Sequence, residues 1–366
     1  MDSIRYYLMP LTTLCGVIGF VLGGNWIWLA AATYPVLMLG DILLPSDKKE
    51  RLHLGPWWFS DLALYLQVPL LIALYAAFLS WLTQLAGTGQ QISPGQILAC
   101  IIGIGWLSVV PTLPIAHELW HRRHWFPRAM ARILGTFHMD PAKDVGHNIG
   151  HHNLVGQRRD ADTPARYQTI YTFVIQARLA SWRDTFHHSS VALKRRGHSP
   201  WNWRNIGYQQ LIMPMVLIAI CWVAGGPMAA GISFAAMLMG NFFMEGLNYM
   251  QHYGLIRADD EEVQVQHAWN HLGAVVRPLG CEITNHINHH LDSYTRFDHL
   301  EPVPDAPQMP SLFICFLCGL VPPIWFRYIA KPRLRHWDLH FATQKERALA
   351  RQDNQKAGWE DWLESA

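Results

Sequence analysis

Six apolar runs, each long enough to cross a bilayer, constrain this chain more than any other feature: Tyr6–Leu22, Asn25–Leu44, Leu62–Ala86, Gln96–Ala116, Tyr208–Ala224 and Met228–Met250. A spanning helix takes about 20 predominantly apolar residues. The runs at 6–22, 96–116 and 208–224 hold no charged residue. Hydrocarbon offers no water to backbone N–H and C=O groups, so such runs must be helical. Trp26, Trp28, Trp57, Trp58 and Trp81 lie near run ends, as an interfacial aromatic belt requires. Charged residues make up 15% of the chain, well below the usual share of about 25%. A mean hydropathy of only +0.06 leaves a large part of the chain wet. The first run follows Arg5 as a signal peptide would. It lacks a small-x-small cleavage site and leads straight into a second run, so it reads as retained. The pattern predicts an all-α integral membrane protein with six transmembrane helices.

Lys and Arg set its orientation. The connections at Gly23–Gly24, Thr83–Gly95 and Gly225–Pro227 hold none. The opposite side holds Lys48, Lys49, Arg51, the Arg-dense stretch Arg122–Arg204 and the basic tail after Lys331. The positive-inside rule then puts both termini and both long polar segments in the cytoplasm of a bacterial-type inner membrane. A seventh apolar segment, Pro310–Ala330, is broken by Pro322–Pro323 and reads as interfacial or re-entrant. Ile170–Trp182 reads as a shorter surface helix. The formal charge of +2 implies no nucleic-acid partner. The six cysteines show no disulfide framework, and the lone Cys315-x-x-Cys318 pair is half a metal site, better read as an apolar helix face.

Twenty histidines are the outlying count, and histidine is the commonest protein metal ligand. Four groups stand out: His117-Glu-Leu-Trp-His121, His147-Asn-Ile-Gly-His151-His152, His252 in Asn248-Tyr-Met-Gln-His-Tyr-Gly254, and His286-Ile-Asn-His289-His290. Residues four apart share a helix face. The pairs His117/His121, His147/His151 and His286/His290 can each therefore grip one metal, leaving His152 and His289 to turn toward a second. Nine imidazoles exceed the needs of one ion, and the topology puts all nine at one membrane face. An isolated His is ordinarily a satisfied surface or core residue. That covers His53, His124, His138, His187, His188, His198, His336 and His340, and by weaker argument His267 and His271. The HExxH at His117–His121 also fits a membrane zinc protease with Glu118 as base, which would need no further His clusters. A metal transporter would place its ligands near mid-membrane instead.

These motifs, HELWH, HNIGHH, NYMQHYGL and NHINHH, resemble the histidine boxes of the membrane di-iron alkane hydroxylase/xylene monooxygenase family, whose wider circle includes the membrane fatty acid desaturases. The likeness is greatest to the branch holding the hydroxylase component of xylene monooxygenase and p-cymene methyl-monooxygenase. It runs nearly end to end, through Arg277–Asn285 and Ala306–Ser311. The resemblance implies a single desaturase/hydroxylase-like domain over residues 1–366 and two iron ions in a cytoplasmic histidine-rich region. Their ligands would be His117, His121, His147, His151, His152, His252, His286, His289 and His290. Gly146 stands where alkane hydroxylases carry an acidic residue, and Ile283-Thr284-Asn285 replaces their Leu-Gln-Arg. Both departures favour the aryl-methyl branch.

The expected activity is hydroxylation of the methyl group of a toluene-, xylene- or p-cymene-type arene drawn from the bilayer. An alkane ω-hydroxylase and an acyl-lipid desaturase remain open. An unactivated C–H bond offers nothing to acid–base or nucleophilic side chains, so O2 activation at a metal must do the work. The chain has no dinucleotide fingerprint, no four-Cys cluster, and no motif for flavin or haem. Electrons must come from a separate reductase, which by resemblance carries flavin and a [2Fe–2S] centre and uses NADH. The Arg-rich 122–204 segment is its expected docking region. No catalytic side chain beyond the metal site is evident. Asn241, Glu245, Asn248 and His252, spaced four, three and four, form a polar stripe in the sixth run. Glu245 or Asn248 is expected to hydrogen-bond a ligating imidazole, the alternative being ordinary helix–helix hydrogen bonding.

Overall fold

The computed structural model describes residues 1–364, and among these it is helical with no strand, only an isolated bridge between Asn270 and Gln308. Five helical stretches are long and apolar enough to cross a membrane: Asp2–Leu22, Gly24–Leu43, Trp57–Gly87, Pro94–Trp120 and Ile206–His252. Their outer faces expose large apolar side chains such as Val21, Leu39, Ile72, Leu98, Val216 and Leu238, the surface that lipid covers.

The fifth stretch contains two of the expected runs. Gly226, at φ 73° and ψ −169°, is not helical. Gln210 donates to the Asp140 carboxylate at 2.6 Å, and Asn241 donates to the His138 carbonyl at 3.1 Å. In one straight helix these residues would lie about 46 Å apart, at 1.5 Å per residue. The chain therefore folds back at Gly226–Pro227, where positive φ favours glycine, into two antiparallel arms.

Polar clamps tie the helices together where small residues let them approach. Gln67 donates to Thr13 at 2.9 Å and to Thr112 at 2.8 Å. The Trp106 indole donates to Thr33 at 2.9 Å. Gly105 lies so close to the second arm that a Cβ there would meet the Ala236 carbonyl at 2.9 Å. The fourth run begins with a capping box, Ser93 with Gln96. It is jogged between Leu107 and Thr112, where Pro111 lacks an N–H.

One expectation needs correction. The helix from Ile170 runs to Arg195 rather than Trp182; its buried face includes Ser181, Thr185 and Ser189, which carry no apolar signal. The segment after Pro310 is a short helix, Leu312–Gly319, interrupted before Pro322 and followed by a helical continuation to His340; it is not among the stretches long and apolar enough to cross a membrane. The tail packs onto the polar region through Arg166, whose guanidinium donates twice to Asp338 at 2.6 Å in full burial.

Candidate metal centre

Nine imidazoles meet at the ends of the long helices in two groups. His117, His121, His147, His152 and His289 form one, and His151, His252, His286 and His290 the other; within each, one nitrogen per ring lies within 4.8 Å of all the rest. His117 is in the helix Thr112–Trp120, and His121 caps its C-terminus. His252 ends the second arm of the hairpin. His286, His289 and His290 come from the short helix His286–Leu291.

The second box departs from the simple helix-face expectation. His147–His151 is a π-helical turn. Five residues along an α-helix rotate a side chain about 140° away, whereas the wider i→i+5 turn returns His152 toward the side of His147. His147 and His152 thus join one group while His151 joins the other. The adjacent residues His289 and His290 divide in the same way. The pairing of His147 with His151 on one ion, expected from spacing, is therefore not what the fold builds.

The nitrogens are crowded as a cation would require. The Nε2 atoms of His117 and His147 are 2.7 Å apart, those of His147 and His152 3.1 Å, and those of His152 and His289 3.2 Å. In the second group His252 and His286 are 2.8 Å apart, and His286 and His290 3.2 Å. A neutral Nε2 offers one proton or one lone pair, yet those of His147, His152 and His286 each face two others. The buried Nε2 atoms of His121 and His151 have no hydrogen-bond partner. Lone pairs converging on one point are satisfied by a bound metal ion, and imidazole suits iron.

Electrostatics hold most of these rings neutral, the ligating form. Burial pushes the His121 imidazole down to about 4, His286 to about 3 and His152 to about 2. His147, His289 and His290 also fall well below the ordinary range, first through burial and then through neighbouring rings. His151 is the exception. Burial lowers it, but the Asp160 carboxylate, 2.8 Å from Nδ1, outweighs that and raises it. This carboxylate–histidine pair fixes the tautomer that turns Nε2 inward.

An apolar cavity opens beside both groups, touching His117, His147, His151, His252 and His286. Tyr34, Trp106, Phe243, Phe313 and Phe316 also line it. Tyr34 and Phe313 each meet a neighbouring ring nearly edge-on: Tyr34 to Trp106 at 4.8 Å and 73°, and Phe313 to Tyr34 at 5.4 Å and 90°. The Tyr34 hydroxyl is spent on the Phe313 carbonyl at 2.8 Å, so the wall presents ring faces and edges.

Glu245 and Asn248 also line this cavity, but the hydrogen bond expected of Glu245 is not there. Its Oε1 accepts from Lys143 Nζ at 3.3 Å, and the carboxylate holding a box imidazole is Asp160. Asn241 binds a backbone carbonyl. Glu118, the base a zinc protease would need, is held by Arg122 at 2.7 Å. His267 pairs with Glu346 and His271 with the Pro310 carbonyl, outside both groups. Cys315 is buried and Cys318 half-buried, both free.

Sequence reasoning missed Asp160, Lys143, Asp162 and Glu282. The buried Glu282 carboxylate accepts from Arg277 at 2.6 Å and from Asn285 at 3.2 Å, fixing the residue that precedes the third box. Cys281 and Glu282 hold positive φ, 51° and 55°, a strained loop that the surrounding ion pairs stabilise. The available signal was charge: acidic residues amid arginines beside the boxes.

On the polar face, a cleft is lined by His121, His152, Arg122, Arg123, Arg128 and Tyr294, among others. The half-buried His121 and His152 make the five-histidine group the one that reaches it.

Residues 91–356 match the fatty acid desaturase family. The chain is 50% identical over 365 residues to the xylene/toluene monooxygenase hydroxylase component XylM of Pseudomonas putida, covering 100% of this chain and 98% of that protein. It is 28% identical over 326 residues to an alkane 1-monooxygenase of Pseudomonas putida, 84% of this chain and 77% of that one. An alkane 1-monooxygenase of Ectopseudomonas oleovorans is 27% identical over 307 residues, 81% and 72%. With its apolar helices and clustered imidazoles, this integral membrane protein belongs to the fatty acid desaturase family, in the company of its hydrocarbon monooxygenases.

Proposed function

We propose that this chain is the hydroxylase component of a membrane non-haem di-iron monooxygenase that converts the methyl group of a toluene-, xylene- or p-cymene-type arene to the alcohol. The observation that carries the reading is the pair of histidine groups at one end of an apolar cavity walled by aromatic rings. The full-length likeness to a xylene/toluene monooxygenase component supports it.

The nine box histidines hold the ions, five around one and four around the other. Iron, when bound, supplies the activation of O2 that an unactivated C–H bond demands. The chain does the rest. The aromatic wall seats the arene and excludes water, and the Asp160–His151 pair orients one ligand. The substrate arrives from the bilayer, into which hydrocarbons partition at roughly 0.8 kcal/mol per buried CH2.

The hairpin at Gly226 supports six membrane crossings rather than five. With the Lys and Arg distribution, six crossings put both termini and the metal region on the cytoplasmic side of the inner membrane, in one domain spanning the chain. A reductase with flavin and [2Fe–2S], drawing on NADH, donates electrons at the Arg-lined cleft above His121 and His152. The test is direct. Membranes holding the chain and a reductase receive NADH, O2 and a panel of methylarenes, alkanes and acyl lipids. Benzylic alcohols are expected; alkenes or no oxygenated arene would refute the reading.

A further inference from the structure

Beside the metal region lies a group of charges that ligand binding does not use. Lys143 is buried between two carboxylates, 3.1 Å from Asp162 and 3.3 Å from Glu245. Glu245 is itself 0% exposed, and its second oxygen has no partner. The neighbouring carboxylates have their own partners: Asp140 pairs with Arg178 at 3.0 Å, and Asp160 accepts a hydrogen bond from His151 Nδ1 at 2.8 Å. One cation against two carboxylates leaves a surplus negative charge in a low-dielectric site, which is costly. A proton shared within the group removes that cost.

The group also bridges two spaces. Lys143 and Asp162 line the apolar cavity, and both line a second, polar cleft. Glu245 faces only the cavity; the exposed Arg159 and the half-buried Asp184 face only the cleft. An apolar reaction chamber thus has one polar wall, and solvent lies behind it.

We propose that Asp162, Lys143 and Glu245 form the proton inlet of the reaction, carrying protons from the polar cleft to the cavity. The inference rests on the hydroxylase reading above. Hydroxylation consumes R–CH3, O2, two electrons from the reductase and two protons, and yields R–CH2OH and water. The electrons have an external donor, but neither the hydrocarbon nor the aromatic wall can supply the protons. Glu245 gives its carboxyl proton, through water at the polar wall that it shares with Asn248 and Gln251, to the oxygen atom that leaves as water. The resulting carboxylate takes a proton from Lys143 Nζ, and Lys143 regains one from the cleft through Asp162. Two passages complete a turnover. Glu245 is about two helical turns, roughly 10 Å, before His252, so it acts without ligating.

The test begins without substrate or metal. Infrared spectra of the iron-free protein in membranes should show a protonated carboxylic acid C=O band that shifts in D2O and on 13C-glutamate labelling, and that Glu245→Gln abolishes. Absence of such a band in the wild type overturns the proposal. In the iron-loaded protein with its reductase, Glu245→Gln should keep its iron and lower alcohol formation by roughly 100-fold, the lower range of general acid–base contributions. Electron flow should divert to hydrogen peroxide, and the solvent isotope effect should rise. Asp162→Asn should do the same more weakly, and Glu245→Asp should restore part of the coupling. If Glu245→Gln keeps full alcohol yield per NADH, or loses iron in proportion to activity, Glu245 is not an inlet. A wild type that shows the infrared band but hydroxylates no hydrocarbon would instead defeat the hydroxylase reading.

Discussion

The five-histidine and four-histidine groups draw on the same two short segments, the π turn at His147–His152 and the helix at His286–His290, yet they face different surroundings. The five-histidine group adds His117 and His121 and includes two half-buried rings, with an Arg-lined cleft above it. The four-histidine group adds His252, is buried throughout, and alone has a carboxylate, Asp160, behind a ligand. Consecutive histidines in both shared segments feed opposite groups, so neither centre can move without the other. The comparison points to a division of labour: one group reaches the polar cleft where the proposed reductase would dock, and the other is anchored in the interior.

The largest effects should come from removing a ring from either group. His147→Ala and His252→Ala should each cut turnover by more than about 100-fold, beyond the usual cost of losing an outer-shell partner. Each should lower bound iron from about two per chain to about one, measured by elemental analysis of purified protein. Loss of both ions on either change would break the picture of two separable groups. His187→Ala, on an exposed ring, should change neither quantity.

A smaller and one-sided effect is expected at Asp160. Asp160→Asn leaves every imidazole in place but removes the carboxylate behind His151. Iron affinity should fall by roughly 10- to 100-fold at one site only, seen as a two-phase iron titration where the wild type is closer to one phase. An equal loss at both sites would mean that the shared segments, not the local carboxylate, set affinity.

Much of this was legible in the sequence because lipid imposes a coarse rule. Twenty apolar residues without charge leave little choice but a helix, and Gly225-Gly226-Pro227 between two such runs marks a reversal. The nine histidines were legible through their spacing. Their division between two groups was not, because spacing assumes an α-helix and the second box is a π turn. The buried partners were also hidden. Lys143 and Asp162 lie in a stretch dense with charge, where a residue bound for the interior looks like any solvated one. The long helix Ile170–Arg195 was cut short because Ser181, Thr185 and Ser189 bury small hydroxyls that hydrophobic periodicity does not register. Glu245 stood out as an ionisable residue in a span, but its partner Lys143 lies 102 residues away, in the short helix Lys143–Gly146, a distance that no local pattern spans.

The smallest effect concerns the cleft, and it sharpens the claim that the two groups look in different directions. Arg122 and Arg128 are paired with carboxylates, Arg122 with Glu118 at 2.7 Å and Arg128 with Asp144 at 2.9 Å. Arg123 is exposed and instead lies 5.2 Å over the Tyr294 ring. It is therefore the arginine of this cleft whose charge is most available to an acidic electron donor. Arg123→Gln should raise the KM for the reductase by roughly 5-fold, about 1 kcal/mol, the scale of one exposed ion pair. The difference from wild type should vanish as salt rises, since screening shortens the reach of surface charge. Iron content and the KM for the hydrocarbon should stay unchanged, because Arg123 does not line the apolar cavity proposed to seat the arene. A raised hydrocarbon KM, or a reductase KM indifferent to both Arg123 and salt, would mean that electrons enter elsewhere and that the half-burial of His121 and His152 has another cause.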